Sequence, residues 1–174
     1  MKIPSEITKL ILPKNQLNLF NYQNHFESFV LLYKKKKLPN CILINGVEGI
    51  GKATFAYHFI NFVLSINENN KYSIENLKIN KNNLSYKLVN NGTHPNFFLI
   101  DKNEDEIIKI DKSRELIKFV NKSTYNNGIK LILIDSIENL NVNATNALLK
   151  CIEEPNEKTF FLIIHDSSSK IFST

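Results

Sequence analysis

The sequence predicts an α/β fold built on a mostly parallel central sheet with helices on both faces, and three observations predict it. Four short runs are continuously apolar rather than alternating: Cys41-Ile42-Leu43-Ile44, Phe97-Phe98-Leu99-Ile100, Leu131-Ile132-Leu133-Ile134 and Phe160-Phe161-Leu162-Ile163-Ile164. That is the pattern of strands covered on both sides. Segments of helical periodicity separate them, the order that parallel crossovers require. The first run leads directly into Gly46-Val47-Glu48-Gly49-Ile50-Gly51-Lys52, a glycine loop placed between a strand and a helix.

The elements follow in order. Pro4 and Pro13 discourage a long helix in residues 1–20, which read as a lead-in to a core domain over 21–174. A helix from about Tyr22 to Lys36 turns Phe26, Phe29, Val30 and Tyr33 inward, and Leu38-Pro39-Asn40 stops it. Cys41–Asn45 is a buried strand. An amphipathic helix from about Lys52 to Ser65 follows the loop, with Phe55, Phe59, Phe62 and Val63 inward. The asparagine- and lysine-rich stretch 67–83 reads as a solvated excursion, followed by a short helix from Leu84 to Val89. Asn91-Gly92 breaks the chain before the second strand. Asp101–Glu106 reads as a turn into a short strand, Ile107–Ile110. Asp111 then caps a helix reaching about Asn121, with Leu116, Ile117 and Val120 inward. Asn127-Gly128 supplies a tight turn into the third strand. A helix from about Asn143 to Glu154, stopped by Pro155, precedes the fourth.

Bulk properties exclude several classes. A chain of 174 residues is one domain or slightly more, able to bury roughly 70% of its unfolded surface. It has no apolar run of about 18 residues, and Met1–Glu6 lacks a signal-peptide core. A cytoplasmic protein with no membrane partner is expected. Cys41 and Cys151 sit in apolar contexts and are expected to be buried, reduced thiols. Two cysteines cannot form a four-cysteine zinc module, and His25, His58, His94 and His165 show no ligand spacing, so no zinc is expected. Net charge is +5, and Arg114 is the only arginine. The dense cluster Lys34-Lys35-Lys36-Lys37 is either a solvated helix cap or a phosphate-backbone contact.

The candidate site is a phosphate cradle. In the pattern Gly-x4-Gly-Lys, backbone N–H groups point inward, the helix dipole adds partial positive charge and the lysine reaches the outer phosphates. Gly46, Gly49, Gly51, Lys52, Ala53 and Thr54 are its residues here, although an ordinary strand–helix turn has the same local pattern. The motif wants a hydroxyl directly after the lysine to ligate Mg²⁺, and Ala53 has none. Asp135, ending the third strand, stands where the acid holding magnesium-bound water belongs, or else simply caps the next segment. The position after it, where a hydrolytic site carries an activating glutamate, is Ser136; Glu138 is expected to point elsewhere. Absence of a positioned base removes roughly 10²–10⁴ in rate. His165-Asp166-Ser167 ends the fourth strand as a phosphate sensor or a plain polar loop. His94-Pro95 reads as a strand-entry turn or, less simply, a catalytic pair. ATP binding is therefore expected to be weak or absent, with Mg²⁺ only alongside nucleotide and no hydrolysis.

At this point the chain resembles a known family. Gly46 to Thr54, His94-Pro95-Asn96, Ile110 to Leu116, Tyr125 to Leu131 and Ile134 to Glu138 match in order. Most specific is Asn141-Val142-Asn143-Ala144-Thr145-Asn146-Ala147-Leu148-Leu149-Lys150-Cys151-Ile152-Glu153-Glu154-Pro155. Together they are similar to the bacterial clamp loaders, AAA+ members of the P-loop NTPases, whose fold is a three-layer sandwich on a mostly parallel sheet. The missing hydroxyl at Ala53 and missing acid at Ser136 favour the delta-prime branch over the hydrolysing gamma/tau branch. The resemblance implies a stator that sits in a five-subunit ring with gamma/tau and delta and helps to load the sliding clamp at primer–template DNA during replication. The alternatives are an active gamma/tau-type ATPase with Thr54 replacing the metal ligand, or a small-molecule phosphotransferase. Family members continue with a Ser-Arg-Cys finger, a helical lid and a C-terminal oligomerisation domain, so 21–174 is expected to be an incomplete AAA+ core. Asn96 stands where the family usually carries aspartate.

Overall fold

The computed structural model describes residues 11–101, 110–140, 142–153 and 158–168. The four apolar runs become β1 (Cys41–Gly46), β2 (Phe97–Ile100), β3 (Lys130–Ile134) and β4 (Thr159–Asp166). They form one sheet in the order β1-β4-β3-β2, and every pairing is parallel. Helix α1 (Gln23–Lys34) precedes β1, and α2 (Lys52–Leu64), α3 (Leu84–Asn90), α4 (Ile110–Asn121) and α5 (Val142–Glu153) lie between the strands. All but the first residue of the predicted turn over 101–106, all but the last residue of the predicted strand 107–110, and Pro155 lie outside the described residues. Ile110 itself begins α4.

Connection order sets the layers. The chain crosses the whole sheet from β1 to β2, then steps back through β3 to β4. Right-handed crossovers therefore place α2 and α3 on one face and α4 and α5 on the other. Strand residues alternate accordingly: Leu131, Leu133, Leu162 and Ile164 pack with α1 and α2, and Ile132, Ile134, Phe161 and Ile163 with α4 and α5.

The α2 face is the larger core. Phe26 sits among the rings of Phe55, Phe59, Phe62 and Tyr72, 5.1–6.5 Å between centroids. The amphipathic expectation for α2 fails, because Phe55 to Val63 are all buried. The cause is the stretch 67–83, which is not a solvated excursion. Tyr72, Leu77 and Ile79 are buried, and the stretch pairs with the lead-in: Ile79 N–H donates to Leu17 O and Leu19 N–H to Leu77 O, both at 2.9 Å. Buried His58 pins the three segments together, with Nδ1 2.9 Å from the Tyr72 hydroxyl and Nε2 3.1 Å from Gln16 O.

Four further expectations are corrected. β1 is an edge strand rather than a buried one: Cys41 is exposed and Leu43 is 53% exposed. Cys151 is only half-buried. Ile117 faces outward at 37%, because Leu116 and Val120 four residues apart already define the inner stripe of α4. In the turn before β3, Asn126 takes the left-handed conformation (φ 52°) and Gly128 is extended.

Candidate nucleotide-binding site

The carboxyl ends of the four strands surround a cavity of about 740 Å³. Parallel sheets bind ligands at that end. All the candidate residues read from the sequence except Gly46 line it: Gly49, Gly51, Lys52, Ala53, Thr54 and Asp135. The loop wraps the start of α2. Gly49 (φ 84°) and Gly51 (φ 93°) are left-handed, a conformation that side chains on L-residues resist. Gly51 is the helix N-cap and offers no side chain to the first-turn N–H groups, so these remain free to hold an anion. Tyr22 braces the loop from α1, its hydroxyl donating to Ile50 O at 2.6 Å.

Lys52 lies at the start of α2 and lines the cavity. Its ammonium is turned back on its own loop, donating to Gly46 O at 2.5 Å and Val47 O at 2.6 Å. Gly46 contributes this carbonyl rather than an N–H. Around Lys52 stand five carboxylates, those of Glu48, Asp101, Asp135, Glu138 and Asp166, with Lys14 as the other cation. Burial, then the charges of Asp101 and Glu138, raise the Asp135 carboxyl above its ordinary value, against the pull of Lys52 and a hydrogen bond from the Ser136 hydroxyl. Burial, then Asp135 and Asp101, also raise the Tyr57 phenol.

Glu138 does not point elsewhere; it lines the cavity and accepts from Asp166 N–H at 3.5 Å. Ser136 takes the left-handed conformation (φ 69°) and Ile137–Asn139 form a 3₁₀ turn, so the chain doubles back and the Glu138 charge acts on Asp135. At the end of β4, Asp166 lines the cavity, while its carboxylate also accepts from the Ser168 N–H (3.0 Å) and hydroxyl (2.6 Å). His165 points to the opposite face and bonds Asn45 Oδ1 at 2.9 Å. His94-Pro95 is a turn, with Phe97 N–H bonded to His94 O.

Sequence reading missed Leu12, Pro13, Lys14, Tyr57, Asp101 and the reach of Glu138. Tyr57 was findable, since it lies four residues from Ala53 on one helix face. Leu12 to Lys14 were not, because the lead-in reaches the cavity through non-local pairing with 77–79.

A backbone cradle of this shape fits a phosphate group. Its side chains do not fit a metal–triphosphate poised for hydrolysis. Ala53 offers no oxygen, Lys52 is spent on loop carbonyls, and five carboxylates repel an anion. Among the described residues no three His, Cys, Asp or Glu side chains are grouped so as to hold a metal ion.

The strand order, the glycine loop on α2 and the acid ending β3 define a P-loop domain of the AAA+ kind. Its fold is similar to the DNA polymerase III gamma subunit-related protein of Thermotoga maritima, with a TM-score of 0.54 and 21% identity over 79% of this chain and 39% of that one. The sequence model of the family described as DNA polymerase III, delta subunit, matches residues 22–174, and the chain belongs to that family. It is delta-prime-like: it is 34% identical to DNA polymerase III subunit delta' of Pseudomonas aeruginosa over 133 residues, 76% of this chain and 39% of that protein. The subunit delta' of Escherichia coli is 24% identical over 150 residues, 86% of this chain and 43% of that one. The chain thus spans less than half the length of these relatives. No helix among the described residues is long and apolar enough to cross a membrane.

Proposed function

We propose that this chain is the AAA+ core of a delta-prime-like, cytoplasmic clamp-loader subunit whose nucleotide site is degenerate. It acts as a stator beside gamma/tau and delta subunits and serves the loading of the sliding clamp onto primer–template DNA through the assembled complex. Family membership supports the assembly role. The observation that carries the degenerate site is Lys52, held by Gly46 O and Val47 O next to an alanine where the metal-ligating hydroxyl belongs.

Two measurements test the reading. Steady-state ATP turnover by the chain, with Lys52→Ala as control, is expected to show no Lys52-dependent hydrolysis; clear Lys52-dependent turnover overturns the degenerate site in favour of a gamma/tau-type ATPase. Tagged full-length protein is expected to recover purified gamma/tau and delta subunits in one complex. Recovery of neither overturns the stator role and returns the chain to the phosphotransferase reading.

A further inference from the structure

The two ends of the sheet differ in charge. The carboxyl ends carry the five carboxylates described above. The amino ends carry lysines: Lys34–Lys37 precede β1, Lys158 precedes β4, and Lys122 lies at the base of β3, where its backbone carbonyl receives the Lys130 ammonium. Asn40 ties the first of these segments to β4, its side chain donating to Thr159 O at 2.8 Å and its carbonyl accepting from Phe161 N–H at 2.7 Å. Lys34, Lys35, Lys36 and Lys37 are all exposed. Glu153, ending α5, is a described counter-charge on this side.

The lysines are not needed to finish α1. Its last carbonyls are already bonded by backbone: Lys35 N–H donates to Leu31 O, Lys36 N–H to Tyr33 O and Lys37 N–H to Leu32 O, at 2.9–3.0 Å. This is the Schellman arrangement, in which the residue past the helix is left-handed. α3 ends the same way, with Gly92 (φ 68°) in that position. In α1 the position holds Lys36 (φ 56°), although a residue with a Cβ is disfavoured there by roughly 1–2 kcal/mol. None of the four ammonium groups has a hydrogen bond or ion pair with a described residue. A capping role is therefore filled by other groups, while four like charges are held side by side on a rigid turn anchored to the sheet.

We propose that Lys34, Lys35, Lys36 and Lys37 form a binding surface for the phosphate backbone of nucleic acid, at the end of the sheet opposite the P-loop cavity. The surface reads charge and spacing rather than base sequence, since ammonium groups on flexible stems contact phosphates as point charges. The acidic cavity rim keeps the same polyanion away from the opposite end of the domain.

The test is fluorescence anisotropy of a short labelled DNA duplex, and of its single strand, with the full-length protein at increasing salt. Four neutralised phosphates give a log–log salt slope of about −3 to −4, a loss of about 100-fold in affinity from about 50 to about 200 mM salt. Replacing the cluster by Lys34→Gln, Lys35→Gln, Lys36→Asn and Lys37→Gln is expected to flatten that slope by about three and weaken binding at least tenfold. Asparagine tolerates the left-handed position, and circular dichroism checks that the fold is kept. The all-arginine replacement keeps the charge and is expected to retain binding. Lys71→Gln, Lys78→Gln and Lys81→Gln, remote exposed lysines, are expected to leave the slope within one unit. The proposal is overturned if the cluster variant binds like the parent, if the remote variant loses as much, or if the parent binds neither DNA. It is equally overturned if the parent binds phosphatidylserine vesicles but no DNA, since exposed Leu31 and Leu32 adjoin the lysines.

Discussion

The two faces of the sheet are built differently. Against α2 the chain stacks Phe26, Phe55, Phe59, Phe62 and Tyr72, with Phe29 and Tyr33 packed on them. Against α4 and α5 it uses a smaller, mainly aliphatic set, Leu116, Val120, Leu148, Ile132, Ile134 and Ile163. The first cluster reaches all four strands. The second stops short of β1, where Cys41 and Leu43, opposite Phe161 and Ile163, remain exposed. The P-loop hangs from the aromatic face, and Tyr22 joins the two, with its ring 5.4 Å from Phe55 and its hydroxyl on the loop. The aromatic face therefore fixes the cradle, and Asp101, Asp135 and Asp166, two residues beyond Leu99, Leu133 and Ile164, emerge on that same side of the sheet.

The largest expected effect tests that inequality directly. Phe26→Ala removes a fully buried ring touching four others and is expected to cost about 3–5 kcal/mol. Leu148→Ala, on the other face, is expected to fall nearer the lower end of the usual range of about 2–5 kcal/mol. Urea denaturation of both variants measures the difference. A larger loss at Leu148 would break the comparison.

The next effect is about 3 kcal/mol and depends on pH. Burial lowers the His58 pKa to about 4, against about 6.5 when unfolded. The unfolded chain therefore takes up the proton first, so stability is full above about pH 6.5 and is lost as pH falls toward 4. His58→Gln is expected to cost stability at pH 7 but to flatten the slope between those limits. A slope unchanged by the substitution would show that other groups govern acid sensitivity.

How much of this was legible depended on whether the cause was local. The four strands, the parallel sheet and the glycine loop could be read because apolar runs and left-handed glycines are local signals. The burial of α2 on all sides could not, because it depends on Tyr72, Leu77 and Ile79, which lie in a stretch whose composition is polar. Lys130 is the same kind of case: a charged residue at a strand start, fully buried because its ammonium donates to Val120 O at 2.7 Å and to Lys122 O. At the site, the motif named residues that the fold brings to one cavity, but not that the Lys52 ammonium rests on Gly46 O and Val47 O, since a motif cannot show which way a side chain turns.

Asn96 sharpens this point. Sequence alone shows only that it stands where the family usually carries aspartate. In the structure its amide clasps Tyr125 both ways, accepting from Tyr125 N–H at 2.8 Å and donating to Tyr125 O at 3.1 Å. A carboxylate can only accept. Asn96→Asp is therefore expected to cost about 1–3 kcal/mol, by orphaning one carbonyl and burying a charge; thermal unfolding checks it, and a neutral result would mean the turn rearranges freely.

The opposing acids supply a substitution of opposite sign. Asp135 carries a charge that burial, Asp101 and Glu138 all disfavour. Because its folded pKa is raised, the penalty is present above that pKa and disappears below the unfolded value. Asp135→Asn is expected to raise the melting temperature by about 2–4 °C near neutral pH, equivalent to about 1 kcal/mol in a domain this size, with little gain near pH 4. A loss at neutral pH would show that the attraction to Lys52 outweighs the crowding.

The smallest effect concerns the open edge. Leu43 lies on the α4 and α5 side of β1 but is 53% exposed, so Leu43→Lys is expected to change stability by no more than about 0.5 kcal/mol, the range of ordinary surface positions. Ile44, its neighbour on the α2 side, packs against the aromatic core, and Ile44→Lys is expected to cost several times more. Because the two residues are adjacent on one strand, β propensity and backbone position nearly cancel between them, leaving the covering of each face as the variable. Equal costs measured by urea denaturation would mean that β1 is covered on both sides, and the asymmetry between the faces would then lie in residue type alone.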